Sequence, residues 1–545
     1  MSILSLEFIA LTLATVIVYY IVPLKVRWCV LLAASAVFYA MAGWQSCVWI
    51  VLVTAITFFA SLLQHRLYRK EKQIAAIEEE RYERSQQGEG IRSEENAEAG
   101  QTGPEQQQAG SLPEKGWFSS SARTKKLRKL VLAATIILPF ASMAFVKYFD
   151  AFRSWITTMP ALTLIVPLGL SYFTFQSVGY TVDIYRGKYE PARNPLKYLL
   201  FTSFYPQLTQ GPISPYPQLM PQLERGNRFD PDNFVMGVQL ALWGYFKKMV
   251  LADRLTMVTD AISKDQRGWM ILLTVIIYAI RLYADFSGGM DVIRGAAKMM
   301  GIDMVENFRR PFFSFSVAEY WRRWHISLGA WFKTYIYYPI AVSKLAKKAT
   351  AAGTKAFGKT FGKTVGASLA LVVVWFATGF WHGASWAYII WGGINGLAII
   401  LSLWFEPVFD RLKAACRIHE QGFWWRAFAT LRTFFIVTMI KVFPEVGSFS
   451  AGLGYWRHCF KNWDLTLGAN LFYPIVSYKD LVILAAGALL LFGVSLLQRK
   501  GSLRAKIAKL PLPLRYGLYV AVFFAIILLG VPTQSQGGGF LYAQF

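Results

Sequence analysis

The chain is poor in the residues from which soluble active sites and stapled scaffolds are built. It has five histidines and four cysteines in 545 residues, and only 16% of its residues are charged. The cysteines, Cys29, Cys47, Cys416 and Cys459, are scattered with no CxxC pair. That argues against a zinc module or a disulfide framework and leaves them as small apolar residues in helices. No GxxxxGK[ST] loop, HExxH or GxSxG string occurs. ATP-driven transport, zinc proteolysis and the serine-hydrolase elbow therefore lose their usual signatures, and no metal site is expected. No short repeat is evident either.

What is present is apolar. Hydrophobic residues make up 55% of the chain and aromatic residues 16%, against about 25% charged residues in an ordinary soluble domain. A water-soluble fold of this length could not hide so much apolar surface. The expected class is an all-α polytopic membrane protein. Apolar runs fall at 3–22, 28–43, 46–64, 130–148, 159–180, 196–210, 233–250, 269–287, 328–342, 366–380, 386–405, 428–443, 480–497 and 514–531. A full span needs about 20 residues, so the runs at 196–210 and 328–342 read as re-entrant or half-spanning. The expectation is about 11–14 transmembrane or half-spanning helices around an internal tunnel. Gly/Pro-rich stretches at 167–176 and 204–213 support the tunnel, because irregular backbone at membrane depth survives around a cavity. The first run reads as a retained helix and not as a cleaved signal peptide, because no small-residue cleavage site follows it.

The net charge is +25. Residues 65–129 hold 13 basic and 11 acidic groups, leaving 44 basic and 21 acidic groups in the other 480 residues. Basic flanks mark cytoplasmic loops, which places the amino terminus outside and residues 65–129 in the cytoplasm. An anionic ligand or lipid is a second partner for that charge. No nucleic-acid partner is expected. Four regions follow: N-terminal membrane helices 1–64, a cytoplasmic polar insertion 65–129, a core 130–443, and C-terminal amphipathic and membrane helices 444–545. Within the insertion, residues 66–85 could continue the third span as a solvated helix. Residues 86–113 show no apolar periodicity and read as disordered, and the basic stretch 120–129 is expected at lipid headgroups. A second basic stretch, 344–363, carries six lysines and reads as a solvated cytoplasmic loop, with binding of a phosphorylated donor as the alternative.

Two histidines sit among aromatic residues near membrane depth: His325 in Tyr320-Trp321-Arg322-Arg323-Trp324-His325-Ile326-Ser327, and His382 in Thr378-Gly379-Phe380-Trp381-His382-Gly383. A single such histidine reads as packing. Two in so histidine-poor a chain read as functional, because ionisable groups in the membrane are costly and imidazole takes and returns protons near neutral pH. Asp285 is a candidate to orient a histidine or to close a structural ion pair. Glu319 with Arg322 and Arg323 reads as a helical salt bridge.

Taken together, residues 167–187, 204–213, 244–255 (GYFKKMVLADRL), 283–291 and 306–327, the WRRWHIS and WHGA strings and the terminal FLYAQF resemble the membrane-bound O-acyltransferase family, on its bacterial alginate O-acetylase-like branch. Lys333-Thr334 depart from that pattern, which usually has an Arg-Asp pair there. The resemblance implies catalytic roles for His382 and His325 and a donor arriving from the cytoplasm, with acetyl-CoA as substrate and no permanently bound cofactor. It also implies a polysaccharide acceptor, membrane lipid around the chain, an extracytoplasmic or membrane-anchored acetyltransferase- or esterase-like partner protein, and a bacterial inner-membrane location. The alternatives are D-alanyl transfer to teichoic acid, a glycan flippase, or a scaffold without chemistry of its own.

Overall fold

Long apolar runs can satisfy their own backbone in lipid only as helices or closed barrels, and the runs of this chain fold as helices. The structure is a computed structural model that describes residues 2–98, 116–153, 166–208, 210–262, 268–383, 385–461, 463 and 477–531. No strand occurs among them. The elements are α1 (Leu6–Ile21), α2 (Arg27–Ala42), α3 (Trp44–Glu98), α4 (Gly116–Arg153), α5 (Leu170–Tyr185), α6 (Pro195–Ser203), α7 (Tyr205–Leu208), α8 (Tyr216–Arg225) and α9 (Pro231–Tyr245). A π-helical segment, Phe246–Ala252, leads into α10 (Asp253–Ile262) and α11 (Trp269–Met299). Then come α12 (Val317–Arg323), α13 (Ile326–Phe332), a second π segment Lys333–Tyr337, α14 (Tyr338–Ala341), α15 (Lys344–His382), α16 (Trp386–Trp404) and α17 (Glu406–Ala415). The last elements are α18 (Phe423–Ile440), α19 (Val442–Val446), α20 (Phe449–Cys459), α21 (Tyr478–Leu497), α22 (Leu503–Ile507) and α23 (Leu512–Leu529).

Among the described residues, nine helices are long and apolar enough to cross a membrane, and α1 is a shorter apolar helix. The chain is a multi-pass membrane protein. The short run at 196–210 is broken into α6 and α7, both largely buried in protein, where their exposed helix ends find partners that lipid lacks. The run at 328–342 is the α13–π–α14 segment.

The core is built on α5, buried from Leu170 to Ile184, and on the antiparallel pair α9–α11. That pair approaches backbone to backbone. A Cβ on Gly244 would lie 2.5 Å from the Gly288 carbonyl oxygen, and one on Gly295 would lie 2.6 Å from that of Gly237. Small residues seven apart on both helices make this contact possible.

Three expectations are corrected. Residues 344–363 are not a loop. They form one arm and the bend of a helical hairpin within α15, folded at Gly358, whose φ of 79° favours glycine. The arms pack through Gly353, Gly362 and Gly366, while all six lysines stay exposed. Residues 86–98 continue α3 as helix, since Glu, Arg and Gln are good helix formers without a packing face; residues 99–113 of that disorder expectation lie outside the described residues. Finally, the basic stretch before α4's span does not lie wholly at the surface. Arg128 is buried and pairs with Glu71, donates from Nη2 to the Tyr185 carbonyl at 2.6 Å, and stacks 4.7 Å from both the Tyr68 and Tyr185 rings.

Candidate active site

His325 sits in a turn that its neighbours force. A capping box opens α12: Ser316 Oγ accepts from the Glu319 N–H at 3.1 Å, and the Glu319 carboxylate accepts from the Phe315 N–H at 2.7 Å. Glu319 also pairs with Arg323 at 2.5 Å, as the helical spacing suggested. Residues 307–309 then run antiparallel to 323–326. The Arg309 N–H donates to the Arg323 carbonyl and the Ile326 N–H to the Asn307 carbonyl, both at 3.0 Å. The Asn307 side chain accepts from the Ser327 N–H at 2.8 Å. The helix ends at Arg323, and His325 turns the chain into α13 with φ 46° and ψ 55°. This left-handed conformation costs a non-glycine residue about 1–2 kcal/mol, and strain of this kind gathers at functional sites.

His382 is the last residue of α15, stopped by Gly383, and Ser385 caps the next helix through the Ala387 N–H. The final carbonyls of a helix have no partner within it. Here α4 supplies them: Tyr148 donates to the Phe380 carbonyl, and Lys147 Nζ donates to the Trp381 carbonyl at 3.2 Å. A cation at a helix C-terminus also complements its dipole.

The two histidines meet across Trp381, whose ring centre is 6.3 Å from that of His325 and 4.6 Å from that of His382. Phe286 closes the far side of His325 at 4.9 Å, and Trp391 that of His382 at 4.8 Å. Tyr388 stacks on His382 at 5.9 Å. Both imidazoles are buried. The Trp381 Nε1–H is buried with no acceptor among the described residues.

A cavity of about 630 Å³ lies next to this cluster. Phe175 and Trp331 line it on the inside, Ile326 and Ser327 border it directly after His325, and Asp183, Lys188 and Tyr189 stand in its wall. Neither histidine lines it. Phe175 faces the cavity and also meets Trp381 at 5.8 Å between ring centres.

The other candidates resolve differently. Asp285 pairs with Lys248 at 2.5 Å, and Asp253 shares the same ammonium at 2.7 Å, so the ion-pair reading holds. The π turn before α10 lets the consecutive Lys247 and Lys248 both reach α11. The stretch 167–176 opens α5; residues 159–165 of the run that held it lie outside the described residues. Sequence reasoning missed Lys147, Tyr148, Asn307 and Lys441. The buried Lys441 ammonium lies 4.1 Å from the Trp324 ring centre. A lone lysine in an apolar run is the signal that would have found Lys147 and Lys441.

The sequence model of the MBOAT, membrane-bound O-acyltransferase family, matches residues 193–358, a segment that contains His325 and ends before His382. The chain is 32% identical over 294 residues to the probable alginate O-acetylase AlgI of Pseudomonas syringae pv. tomato, covering 51% of this chain and 52% of that protein. It is 31% identical over 310 residues to the peptidoglycan O-acetyltransferase of Helicobacter pylori, covering 50% and 55%. It is 27% identical over 281 residues to the teichoic acid D-alanyltransferase of Streptococcus thermophilus, covering 49% and 65%. The aligned part thus spans about half the length of the O-acetyl-transferring relatives. With its ordered motifs and its all-helical membrane fold, the chain is similar to the membrane-bound O-acyltransferase family over residues 193–358 and to the O-acetyl-transferring relatives over about half of its length.

Proposed function

We propose that the protein is an O-acetyltransferase of the bacterial inner membrane, moving acetyl from cytosolic acetyl-CoA to a hydroxyl of an extracytoplasmic polysaccharide, directly or through a partner protein. The observation that carries this reading is the pair of buried histidines sharing one indole, placed one aromatic ring from a 630 Å³ cavity. The cavity wall contains Lys188 and follows Tyr185, which Arg128 of the basic insertion grips. Basic flanks are expected on the cytoplasmic side, which supports reading the cavity as the place of the donor's arm.

In the proposed reaction His382 takes the proton of the acceptor hydroxyl as its oxygen attacks the thioester carbonyl. The tetrahedral oxyanion collapses, the C–S bond breaks, and the imidazolium returns the proton to the leaving thiolate. His325 positions the acceptor or stabilises the oxyanion. The Trp381 N–H is a further donor for the oxyanion. General acid–base catalysis of this kind is worth about 10²–10⁴-fold, and positioning in a closed site can contribute more. Acetyl ranks ahead of D-alanyl as the transferred group because the O-acetyl-transferring relatives are 31–33% identical and the D-alanyltransferases 26–27%.

The test is purified protein given labelled acetyl-CoA and a polysaccharide acceptor. Acetyl-CoA should be consumed with release of CoA, and His382→Ala should abolish transfer. Transfer at the wild-type rate by folded His382→Ala protein would refute the assignment. Glycan movement with both histidines replaced would indicate a flippase.

A further inference from the structure

A second, polar cavity lies on the other side of the Asn307–Phe308 segment, between α9, α11 and α21. It is small, about 40 Å³. At roughly 10–15 Å³ per water position, that is room for a few oxygen atoms and not for a sugar ring or a nucleotide. Its basic groups are Lys247, Arg294 and Arg504. The two acidic groups in its wall are already engaged: Asp291 by Lys247 at 2.7 Å and by Arg294 at 3.6 Å, and Glu306 by Arg309 at 3.0 Å. Arg504 has no ion-pair partner among the described residues, and Arg294 Nε is buried without an acceptor. The cavity therefore presents guanidinium donors in excess of its anions, in a place too small for anything but a compact oxyanion.

Beside this cavity lies a groove of different chemistry. A furrow of about 340 Å³ runs between α9, α21, α22 and α23, walled by side chains such as Leu242, Leu490, Leu497 and Val522. The two share Trp243, Val494, Gln498 and Arg504. Its outer helices carry exposed apolar faces, including Leu490, Leu497 and Leu518, as expected of lipid-facing surface. A compact basic pocket that shares four lining residues with an apolar furrow on the membrane face matches one kind of molecule: a phosphate ester carrying acyl chains.

We propose that this is a specific site for an anionic phospholipid, its phosphate held by Arg504 and Arg294 and an acyl chain lying in the furrow. Basic pockets between membrane helices hold lipid headgroups in this way, and guanidinium binds phosphate through paired charge-assisted hydrogen bonds. The site does not depend on the acyl-transfer reading, because no histidine takes part in it.

The experiment is native mass spectrometry of the full-length protein in detergent, titrated with dioleoyl-phosphatidylglycerol, with dioleoyl-phosphatidylcholine, and with inorganic phosphate. One tightly held phosphatidylglycerol is expected, bound at least about tenfold more tightly than phosphatidylcholine. Arg504→Ala should erase that difference by weakening phosphatidylglycerol about tenfold or more, the worth of a charged hydrogen bond. Val494→Trp, which puts bulk into the wall common to pocket and furrow, should weaken both lipids. Both variants must melt like wild type, and Arg504→Lys should restore part of the preference if a fold defect is suspected. Equal binding of the two lipids, or an Arg504→Ala protein that keeps the preference, would overturn the site. Displacement of phosphatidylglycerol by equimolar inorganic phosphate would make it an anion site and overturn the lipid assignment.

Discussion

Asn307→Ala is the sharpest test of how His325 is held. The Asn307 side chain accepts from the Ser327 N–H at 2.8 Å, and its carbonyl accepts from the Ile326 N–H at 3.0 Å. Alanine keeps the second bond and removes the first. Ser327 is buried, so its N–H is left unsatisfied at a cost of about 1–3 kcal/mol. The turn already carries about 1–2 kcal/mol of left-handed strain at His325. A loss near 2 kcal/mol shifts a two-state turn about thirtyfold, enough to make a relaxed conformer with a displaced imidazole the major one. Asn307 does not line the 630 Å³ cavity, and of the turn only Ile326 and Ser327 border it, so under the proposed function kcat should respond more strongly than donor binding. The expected result is a fall in kcat of about tenfold or more, with KM for acetyl-CoA within about twofold of wild type, in protein that still purifies as a folded monodisperse species. CoA release by the purified protein reads both constants. Wild-type kcat in Asn307→Ala would refute the claim that this side chain sets the histidine turn.

Lys147→Met removes the donor to the Trp381 carbonyl at the end of α15; a drop in kcat of about tenfold is expected, with Tyr148→Phe giving a smaller one through the Phe380 carbonyl. Trp381→Phe keeps an aromatic wall between the histidines but loses the N–H, so kcat should fall about 10²–10³-fold, the range of a lost oxyanion donor, while KM stays near wild type. Gly244→Ala should lower the melting temperature in detergent, because its Cβ would meet the Gly288 carbonyl at 2.5 Å and overpacking costs about 1–3 kcal/mol. Gly393→Ala, within α16 with nothing inside 4 Å, should do the reverse by about 0.5–1 kcal/mol.

The membrane helices were legible because a 20-residue apolar run has one solution in lipid; the run at 269–287 is part of α11, and that at 480–497 lies within α21. The hairpin at 344–370 was not. Its seam is made of glycine, alanine and threonine, which leave no hydrophobic period, and its exposed lysines look like those of a loop. The histidines stood out by rarity and by their aromatic settings. Their supports did not, because Asn307 acts on a backbone N–H 20 residues away and Lys147 on a carbonyl 234 residues away. Partners of that kind carry no local pattern. Lys247 and Lys248 were visible as a charged pair, but only the π turn explains how neighbours in sequence both reach α11.

The two histidines reach the same indole by unrelated devices, a strained turn and a capped helix end, and this separation has a measurable consequence. Asn307 acts on the backbone of Ser327, and Lys147 on the carbonyl of Trp381 and, at 5.5 Å, on its ring. Disturbing one support leaves the other intact, so the losses in Asn307→Ala and Lys147→Met should add in the double variant within about 0.5 kcal/mol, as independent sites do. The imidazoles themselves should behave otherwise. If both act in one proton-transfer and charge-stabilising step, removing the second costs little once the first is gone, the pattern of residues that work as a unit. A double-mutant cycle on the supports and one on the histidines, each read as kcat for CoA release, distinguishes the cases. Additive losses for His325→Ala with His382→Ala would mean that the two rings serve separate steps, and the shared role proposed across Trp381 would fall even if each histidine proved necessary.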